Sequence, residues 1–405
     1  MTHARSERPA LPDVLKQRIH AGLERRQAEE WRERRFFSER QPAAGAVRLH
    51  TNDYLSLAQH PGIVGARLLA LRECTDPTLM SAAYLDRRSP QREFETALAE
   101  HVSSDDAVLC QSGWSANIGL LQTIADPDTT LYIDQFAHMS LWDGAKRTGA
   151  RIFAFRHNDP GQLAGRIERH GPGIVLVDSV YSTDGSVCPL REIARVARNS
   201  GCSLVVDESH SLGTHGPRGE GLVAELGLTG SVLFRTASLS KAFCARGGVI
   251  ACPGGGFADY FRIESHEAIF SSAVHSHEAR AFLATLRVIQ SEGWRRERLF
   301  RNAARLRAGL LALGYDVADS TSQILALHSG SEYNTLTLRD QLARRGVIGA
   351  PFMAPATPRK HALVRLTVHA GLTDTEISRV LAACSELQPT VRNRRQQPTR
   401  DQAAA

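Results

Sequence analysis

The most informative segment of the sequence is LVVDESHSLG, residues 204–213. Its first three residues are a short apolar run that predicts a buried β-strand, and Asp207 and His210 follow directly after it. Because ligands of open α/β sheets bind beyond the carboxyl ends of parallel strands, this spacing places both side chains where a ligand would bind. An aspartate at the end of a strand is also a common helix cap, so the interpretation needs support from the rest of the chain.

Short apolar runs alternate with amphipathic, helix-length stretches on both sides of this strand. Such alternation requires crossover connections, so we predict a large α/β domain at 51–285 with a mostly parallel sheet. Residues 286–316 predict one long helix, and strand, helix, strand and helix follow it, which predicts a smaller α+β domain at 286–390. The apolar runs that predict strands in the large domain are Val108–Cys110, Leu131–Ile133, Ile174–Val177, Leu204–Val206, Val232–Phe234 and Gly248–Cys252.

Charged residues are dense at both ends of the chain. Residues 1–50 contain apolar positions at helical spacing and predict an N-terminal helical arm, whereas the polar, Arg-containing residues 391–405 predict a disordered tail. The chain of 405 residues has 49 Lys and Arg against 43 Asp and Glu, which gives a net charge of +6. The arm mixes both signs of charge and lacks interleaved aromatic residues, so neither end predicts a nucleic-acid partner.

The seven cysteines form no CxxC pair, which argues against a disulfide framework and against a zinc site. We therefore predict no bound metal. No apolar run approaches the ~20 residues of a membrane helix, and the first residues lack the apolar core of a secretory signal. These features predict a soluble protein of the reducing cytoplasm without a membrane partner.

A second informative stretch, FRTASLSKAF at 234–243, places Lys241 after a predicted strand and among small hydroxyl residues. A lysine there can form a Schiff base, and Ser238 and Ser240 are suited to bind a phosphate. With an acid that keeps a pyridine nitrogen protonated, these are the parts that pyridoxal phosphate requires. A lysine flanked by serines is by itself usually a surface residue, so the order and spacing of the two stretches carry the interpretation.

Two further stretches follow predicted strands. In CQSGWSAN, residues 110–117, Ser112 precedes an apolar helical pattern whose free N–H groups would suit a phosphate. An ordinary serine-capped helix is the alternative interpretation. In IDQFAHMSL, residues 133–141, His138 taken alone is most simply a buried core histidine.

Taken in order, these stretches resemble the α-oxoamine synthases, which are pyridoxal-phosphate enzymes of the aspartate-aminotransferase fold (fold type I). The resemblance begins at NDYLSL (52–57), continues through SGWSAN (112–117) and STDG (182–185), and ends at Arg365, so that it covers most of the chain. FAHMSLW (136–142) and DESHSLGTHGP (207–217) are similar to the branch that makes a cholera-type α-hydroxyketone quorum-sensing autoinducer. MSAAYLD (80–86) stands where biotin- and haem-pathway members carry a glycine-rich loop.

The resemblance implies a role for each matching residue. Lys241 would bind the cofactor covalently, Asp207 would pair with the pyridinium nitrogen, and His138 would stack on the ring. His210 would bind the phenolic oxygen, and Lys241, His138 and His210 form the implied catalytic set. The substrate would be bound by Arg365, which clamps its carboxylate, with Asn52 and Tyr54 nearby. The implied cofactor-binding residues are Ser112, Gly113, Trp114, His138, Ser179, Asp207, His210, Ser238, Ser240, Lys241, Ser271 and Ser272, the last two from the neighbouring subunit of a homodimer.

The resemblance also implies a reaction. A medium-chain acyl-CoA and a short amino acid such as 2-aminobutyrate would condense with loss of CO2 to give an α-amino ketone, the precursor of the autoinducer. The alternatives within the fold are 8-amino-7-oxononanoate synthase and 2-amino-3-ketobutyrate CoA ligase activity. A catalytically inactive binding subunit is disfavoured because Lys241 and Asp207 are both present. Candidates for binding CoA phosphates are Arg235, Arg246, Arg262, Arg359 and Lys360, although for most of them an ordinary surface position is the simpler interpretation.

Overall fold

The chain folds into two β-sheets that are covered by α-helices. The computed structural model describes residues 11–26, 45–73, 80–358 and 360–387. The strands are β1 (Val47–Leu49), β2 (Asp106–Cys110), β3 (Thr130–Asp134), β4 (Arg151–Phe155), β5 (Ile174–Asp178), β6 (Ser203–Asp207), β7 (Phe234–Ser238), β8 (Gly248–Cys252), β9 (Ile324–Gly330), β10 (Val347–Phe352) and β11 (Ala362–Thr367). The helices are α1 (Asp13–Arg26), α2 (Pro61–Glu73), α3 (Pro90–Val102), α4 (Gly113–Ile124), α5 (Met139–Arg147), α6 (Pro160–His170), α7 (Leu190–Asn199), α8 (Leu222–Glu225), α9 (Phe257–Glu264), α10 (His266–Ile269), α11 (Ser276–Ser291), α12 (Trp294–Ala312), α13 (Glu332–Arg344) and α14 (Asp374–Ser385).

The larger sheet has seven strands in the order β2-β8-β7-β6-β5-β3-β4. Strands β4, β3, β5, β6 and β7 run parallel to one another, and β8 pairs antiparallel with both β2 and β7. The α/β fold with a mostly parallel sheet is therefore confirmed. The apolar runs of β5 and β6 are buried because helices cover both faces of the sheet.

The smaller sheet has four strands in the order β1-β10-β11-β9. Its first strand comes from the region predicted as the N-terminal arm, because Val47–Leu49 pairs in parallel with Val347–Gly349 of β10. The arm also contains α1, whose side chains are mostly exposed. The predicted tail at 391–405 lies outside the described residues, and the domain boundaries stay predictions.

Three local predictions differ from the structure. The strand expected at 232–234 lies at 234–238. Its polar residues Arg235, Thr236 and Ser238 do not form the apolar run by which the other predicted strands are recognised. The helix expected at 286–316 is two helices, which are separated at Glu292 and Gly293, where a glycine favours a helix boundary. Strand β4 was not expected, since it is a half-exposed edge strand.

Two arginines considered for CoA phosphates are instead buried in ion pairs. The Arg235 guanidinium contacts the Glu208 carboxylate, with Nε to Oε2 at 2.6 Å, and Arg262 Nη2 lies 2.8 Å from Glu95 Oε2. Both arginines are less than a tenth exposed, so they form ion pairs in the interior and are not available to bind CoA.

A hydrophobic core that includes Phe94, Phe243 and Phe282 continues from the larger sheet into the smaller one.

None of the helices among the described residues is long and apolar enough to cross a membrane.

Candidate active site

The site lies at the carboxyl ends of the central strands of the larger sheet. Asp207, the last residue of β6, is in register with Asp178 at the end of β5 and with Thr236 in β7. Lys241 follows β7 by three residues, and His138 follows β3 and precedes α5. The parallel arrangement thus brings together residues that are far apart in the sequence, as the sequence predicted for this edge.

The Asp207 carboxylate is held at both oxygens. Its Oδ1 accepts a hydrogen bond from the backbone N–H of Ser209 at 2.8 Å, and its Oδ2 accepts one from Asn117 Nδ2 at 2.7 Å. The residue is only 5% exposed, so its orientation does not depend on solvent. The next carboxylate along the edge, Asp178, is also buried, and burial together with the charge of Asp207 raises its pKa well above the usual range.

Lys241 lies partly buried beside these carboxylates. Burial lowers the pKa of its ammonium group below the ordinary value; the negative charge of Asp207 opposes this shift, and the positive charge of Arg365 adds to it. Within the described residues its Nζ makes no hydrogen bond or ion pair. The amine is therefore free for covalent chemistry and more easily deprotonated than an exposed lysine.

The first turn of α4 packs against the end of β7. Ser112 caps the helix by accepting the N–H of Ser115, and Ser238 Oγ lies 2.8 Å from Ser240 Oγ. The approach requires glycine, because a Cβ at Gly113 would stand 2.6 Å from Ser238 Cβ. The start of α4 and the two hydroxyls therefore lie side by side, an arrangement that suits a phosphate. Trp114 beside it is 42% exposed and meets the His138 ring edge-on, with ring centroids 6.1 Å apart.

His138 is held by Ser140. Its Nδ1 lies 2.7 Å from Ser140 Oγ and 3.3 Å from the backbone nitrogen of Ser140. The backbone N–H of His138 donates to Asp178 Oδ1 at 3.2 Å. Burial lowers the pKa of the imidazole, the charge of Asp207 opposes this, and the charge of Lys241 adds to it. The ring is therefore neutral at pH 7.

His210 is fixed from two sides. Its Nδ1 lies 2.5 Å from the Tyr54 hydroxyl, and its backbone carbonyl accepts a hydrogen bond from Gln323 Nε2 at 2.7 Å. Burial lowers the pKa of His210 well below its usual value, and the positive charges of Lys241 and Arg365 lower it further. Burial raises the pKa of the Tyr54 phenol, so the phenol stays protonated. Tyr54, expected at the substrate, is fully buried behind His210.

Arg365 lies on β11 of the smaller sheet, and its charge acts on Lys241. Its Nη1 donates to the Ser182 carbonyl and its Nη2 to Asn52 Oδ1, both at 2.8 Å, and its guanidinium stacks on Phe352 at 4.4 Å. Its Nε is buried and has no hydrogen-bond partner within the described residues. Asn52 and Arg365, both expected to bind substrate, are thus brought into contact.

Three serines of the expected cofactor set lie at other contacts. The Ser179 hydroxyl is fully buried and bonds the Asp207 carbonyl at 3.0 Å and the Ser211 hydroxyl at 2.8 Å. Ser271 and Ser272 line a small cavity of their own chain with Gln111 and Ser115. Contacts of these three serines with the cofactor stay predictions.

Sequence reasoning missed four buried polar residues that organise the site. Asp178 ends the apolar run IVLVD just as Asp207 ends its strand, so the same signal identifies it. Asn117 lies in the stretch SGWSAN and Ser140 in the stretch around His138, without a local sign of their partners. Gln323 precedes β9, and only the tertiary structure brings it to His210.

The residues present fit pyridoxal phosphate. A free amine, a buried carboxylate with fixed orientation and a phosphate-sized donor set at a glycine-requiring turn are the three features that this cofactor needs. Within the described residues, no three His, Cys, Asp or Glu side chains are grouped to hold a metal ion.

Comparisons with known proteins identify the family of the chain. The family model for aminotransferase class I and II matches residues 44–383. The CAI-1 autoinducer synthase of Vibrio campbellii is 47% identical over 347 residues, 86% of this chain and 88% of the relative. The 8-amino-7-oxononanoate synthase of Mycolicibacterium gilvum is 32% identical over 372 residues, 91% and 94% of the two chains.

Solved structures show the same fold. The serine palmitoyltransferase of Sphingomonas wittichii superposes with a TM-score of 0.81 at 25% identity, covering 86% of this chain and 89% of that one. A structure of SPT with PLP gives a TM-score of 0.85 at 26% identity, covering 92% and 98%.

The chain belongs to the aminotransferase class I and II family and has the fold of a solved SPT structure with PLP. Within that family it is an α-oxoamine synthase, an acyltransferase that depends on pyridoxal 5'-phosphate.

Proposed function

We propose that the enzyme condenses a medium-chain acyl-CoA, near decanoyl, with a short amino acid such as 2-aminobutyrate. The products would be CoA, CO2 and an α-amino ketone that is the precursor of an α-hydroxyketone quorum-sensing autoinducer. The observation that carries the proposal is the 47% identity to a CAI-1 autoinducer synthase over 86% of the chain, against 32% identity to an 8-amino-7-oxononanoate synthase.

Lys241 is the proposed base of this reaction. When bound, pyridoxal phosphate supplies a protonated ring that withdraws electrons from the amino acid's α-carbon. Asp207 would keep the ring protonated, since its carboxylate is already fixed at both oxygens. The lowered pKa of Lys241 suits an amine that takes the α-proton near neutral pH.

His138 and Arg365 are the proposed contacts with the two substrates. Neutral His138 would donate a hydrogen bond from its ring N–H to the thioester carbonyl oxygen. Arg365 has five N–H donors, of which Ser182 and Asn52 engage two, so others are left for the substrate carboxylate. Phe352 keeps the guanidinium plane in place through its stacking contact.

A homodimer is the proposed assembly, with Ser271 and Ser272 of each subunit reaching the phosphate of the other. Support comes from the family resemblance and from the exposure of Phe270, which is 79% accessible in the single chain. We also assign the reaction to the cytoplasm, in keeping with the six free cysteines among the described residues.

A substrate matrix tests the proposal. Decanoyl-, pimeloyl-, acetyl- and palmitoyl-CoA are each offered with 2-aminobutyrate, alanine, glycine and serine, and the released CoA and the ketone products are measured by absorbance and mass spectrometry. We expect the highest kcat/KM with decanoyl-CoA and 2-aminobutyrate. The Lys241→Ala variant should form no ketone product with any pair of substrates. A preference for pimeloyl-CoA with alanine would instead assign 8-amino-7-oxononanoate synthase activity, and acetyl-CoA with glycine would assign 2-amino-3-ketobutyrate ligase activity.

A further inference from the structure

A buried chain of hydrogen bonds links Asp207 to His138. Thr236 Oγ1 donates to Asn117 Oδ1 at 2.6 Å, and Asn117 Nδ2 donates both to Asp207 Oδ2 at 2.7 Å and to Ser140 Oγ at 2.8 Å. Ser140 Oγ then lies 2.7 Å from His138 Nδ1. Asn117, Ser140 and Thr236 are each at most 1% exposed, so water does not compete for these bonds.

The direction of each bond in the chain is determined. An ionised carboxylate only accepts hydrogen bonds, so the NH2 group of Asn117, and not its carbonyl oxygen, must face Asp207. The carbonyl oxygen then faces Thr236, whose hydroxyl is the donor. The second N–H of the amide is left for Ser140. Both N–H groups and the carbonyl oxygen of the Asn117 side chain are therefore hydrogen-bonded.

The same logic determines the proton on His138. Since Ser140 Oγ accepts from Asn117, its own hydrogen is free to donate to His138 Nδ1. The backbone N–H of Ser140 points at the same nitrogen from 3.3 Å. Two donors that face Nδ1 exclude a hydrogen on that atom, so a neutral imidazole must carry its hydrogen on Nε2.

We propose that Asn117 and Ser140 are positioning residues that hold His138 as the Nε2–H tautomer and fix the rotamer of Asp207. One amide therefore serves both the group expected to pair with the cofactor ring and the group expected to face the thioester. The inference rests on the proposed roles of Asp207 and His138, but the tautomer of His138 is a property of the chain without substrate. Its measurement therefore fails or succeeds independently of the substrate assignment.

The first test reads the tautomer directly. Full-length protein with 15N-labelled histidine side chains is studied by NMR at pH 7.5, with and without pyridoxal phosphate, and the His138 signals are assigned by their loss in His138→Gln. We expect a protonated Nε2 in the wild type and a mixture of tautomers in Ser140→Ala. The His210 signals, which depend on Tyr54, serve as an internal control and should not move. A wild-type His138 that is protonated on Nδ1, or an unchanged tautomer in Ser140→Ala, would overturn the proposal.

The second test separates positioning from binding. We expect Asn117→Leu and Ser140→Ala to lower kcat by about 10- to 100-fold, the loss usual when an outer partner of a functional side chain is removed. The KM for the amino acid should change by no more than about 2-fold, because neither residue is placed at the substrate. Thr236→Ser, which keeps the hydroxyl, should retain activity that Thr236→Val loses. If Asn117→Leu does not fold, the comparison is made with Ser140→Ala, Thr236→Ser and Thr236→Val. A raised KM with unchanged kcat would contradict a positioning role for Asn117 and Ser140.

Discussion

The close approach of α4 to β7 makes Gly113→Ala the sharpest test of the phosphate site. The added Cβ would stand 2.6 Å from Ser238 Cβ, 2.9 Å from its Cα and 3.0 Å from its backbone nitrogen. Two of these three atoms belong to the backbone of the neighbouring strand end, so no flexible side chain can move away. We expect the overpacking to lower the free energy of unfolding by about 1–3 kcal/mol.

Gly165→Ala is the matched control. Gly165 lies in the exposed face of α6, and an added Cβ there would meet no atom within 4 Å. The same substitution should therefore raise the free energy of unfolding by about 0.5–1 kcal/mol, since alanine is the better helix former. The two variants should differ by about 1.5–4 kcal/mol in the same urea titration, which is the sum of the two effects.

Cofactor binding gives the second measurement. A shift of the helix start away from Ser238 would separate the N–H groups of α4 from the Ser238 and Ser240 hydroxyls. We expect Gly113→Ala to weaken the binding of pyridoxal phosphate at least about 10-fold, which corresponds to about 1.4 kcal/mol, and Gly165→Ala to leave it unchanged. The affinity is measured by titrating the protein without cofactor and following its absorbance. If Gly113→Ala were as stable as Gly165→Ala and bound the cofactor equally well, this account of the site would be refuted.

Three further changes test other parts of the structure. Arg365→Lys should raise the KM for the amino acid by about 10-fold, because an ammonium group cannot bind a carboxylate bidentately, and steady-state kinetics with an unchanged KM would contradict the clamp. Glu208→Met should cost about 3–5 kcal/mol in urea unfolding by leaving the Arg235 charge buried alone, whereas a loss below about 1 kcal/mol would show that the pair contributes little. Burial lowers the pKa of His210, so the unfolded chain takes up a proton at a higher pH than the folded chain does. The free energy of unfolding should therefore decrease as the pH falls below about 6.5. His210→Gln should make this decrease smaller when urea unfolding is repeated across the pH range, and an unchanged pH dependence would argue against a buried neutral ring.

The residues of the site that the sequence predicted share one kind of signal. Asp207 follows a short apolar run, which is a buried strand whose carboxyl end is a ligand edge by topology alone, and Lys241 stands among small hydroxyl residues just after β7. Ser112 precedes a helix that starts at Gly113, which is again readable locally. The α/β class follows from the same alternation of runs, because a parallel sheet that is covered on both faces requires strands that are apolar throughout.

What remained hidden depends on contacts between distant segments. Arg235 belongs to β7, a strand that its polar residues make hard to recognise in the sequence. The contact with Glu208 places the Arg235 side chain in a buried ion pair, and this contact forms only in the folded chain. Nothing near Val47–Leu49 in the sequence indicates that this strand completes the sheet of the C-terminal domain.

The amino-acid sequence was sufficient to predict the layer structure and the family, and it predicts Lys241 and Asp207 as the lysine and the acid of the cofactor site. The contacts that hold these groups in place follow from the packing of distant segments. Asn117 has the same chemistry at any position of a helix, and it acquires a role only because Asp207, Ser140 and Thr236 surround its amide. Hydrogen bonding depends on direction and on distances of about 3 Å, and the order of residues in a chain specifies neither until the segments have packed.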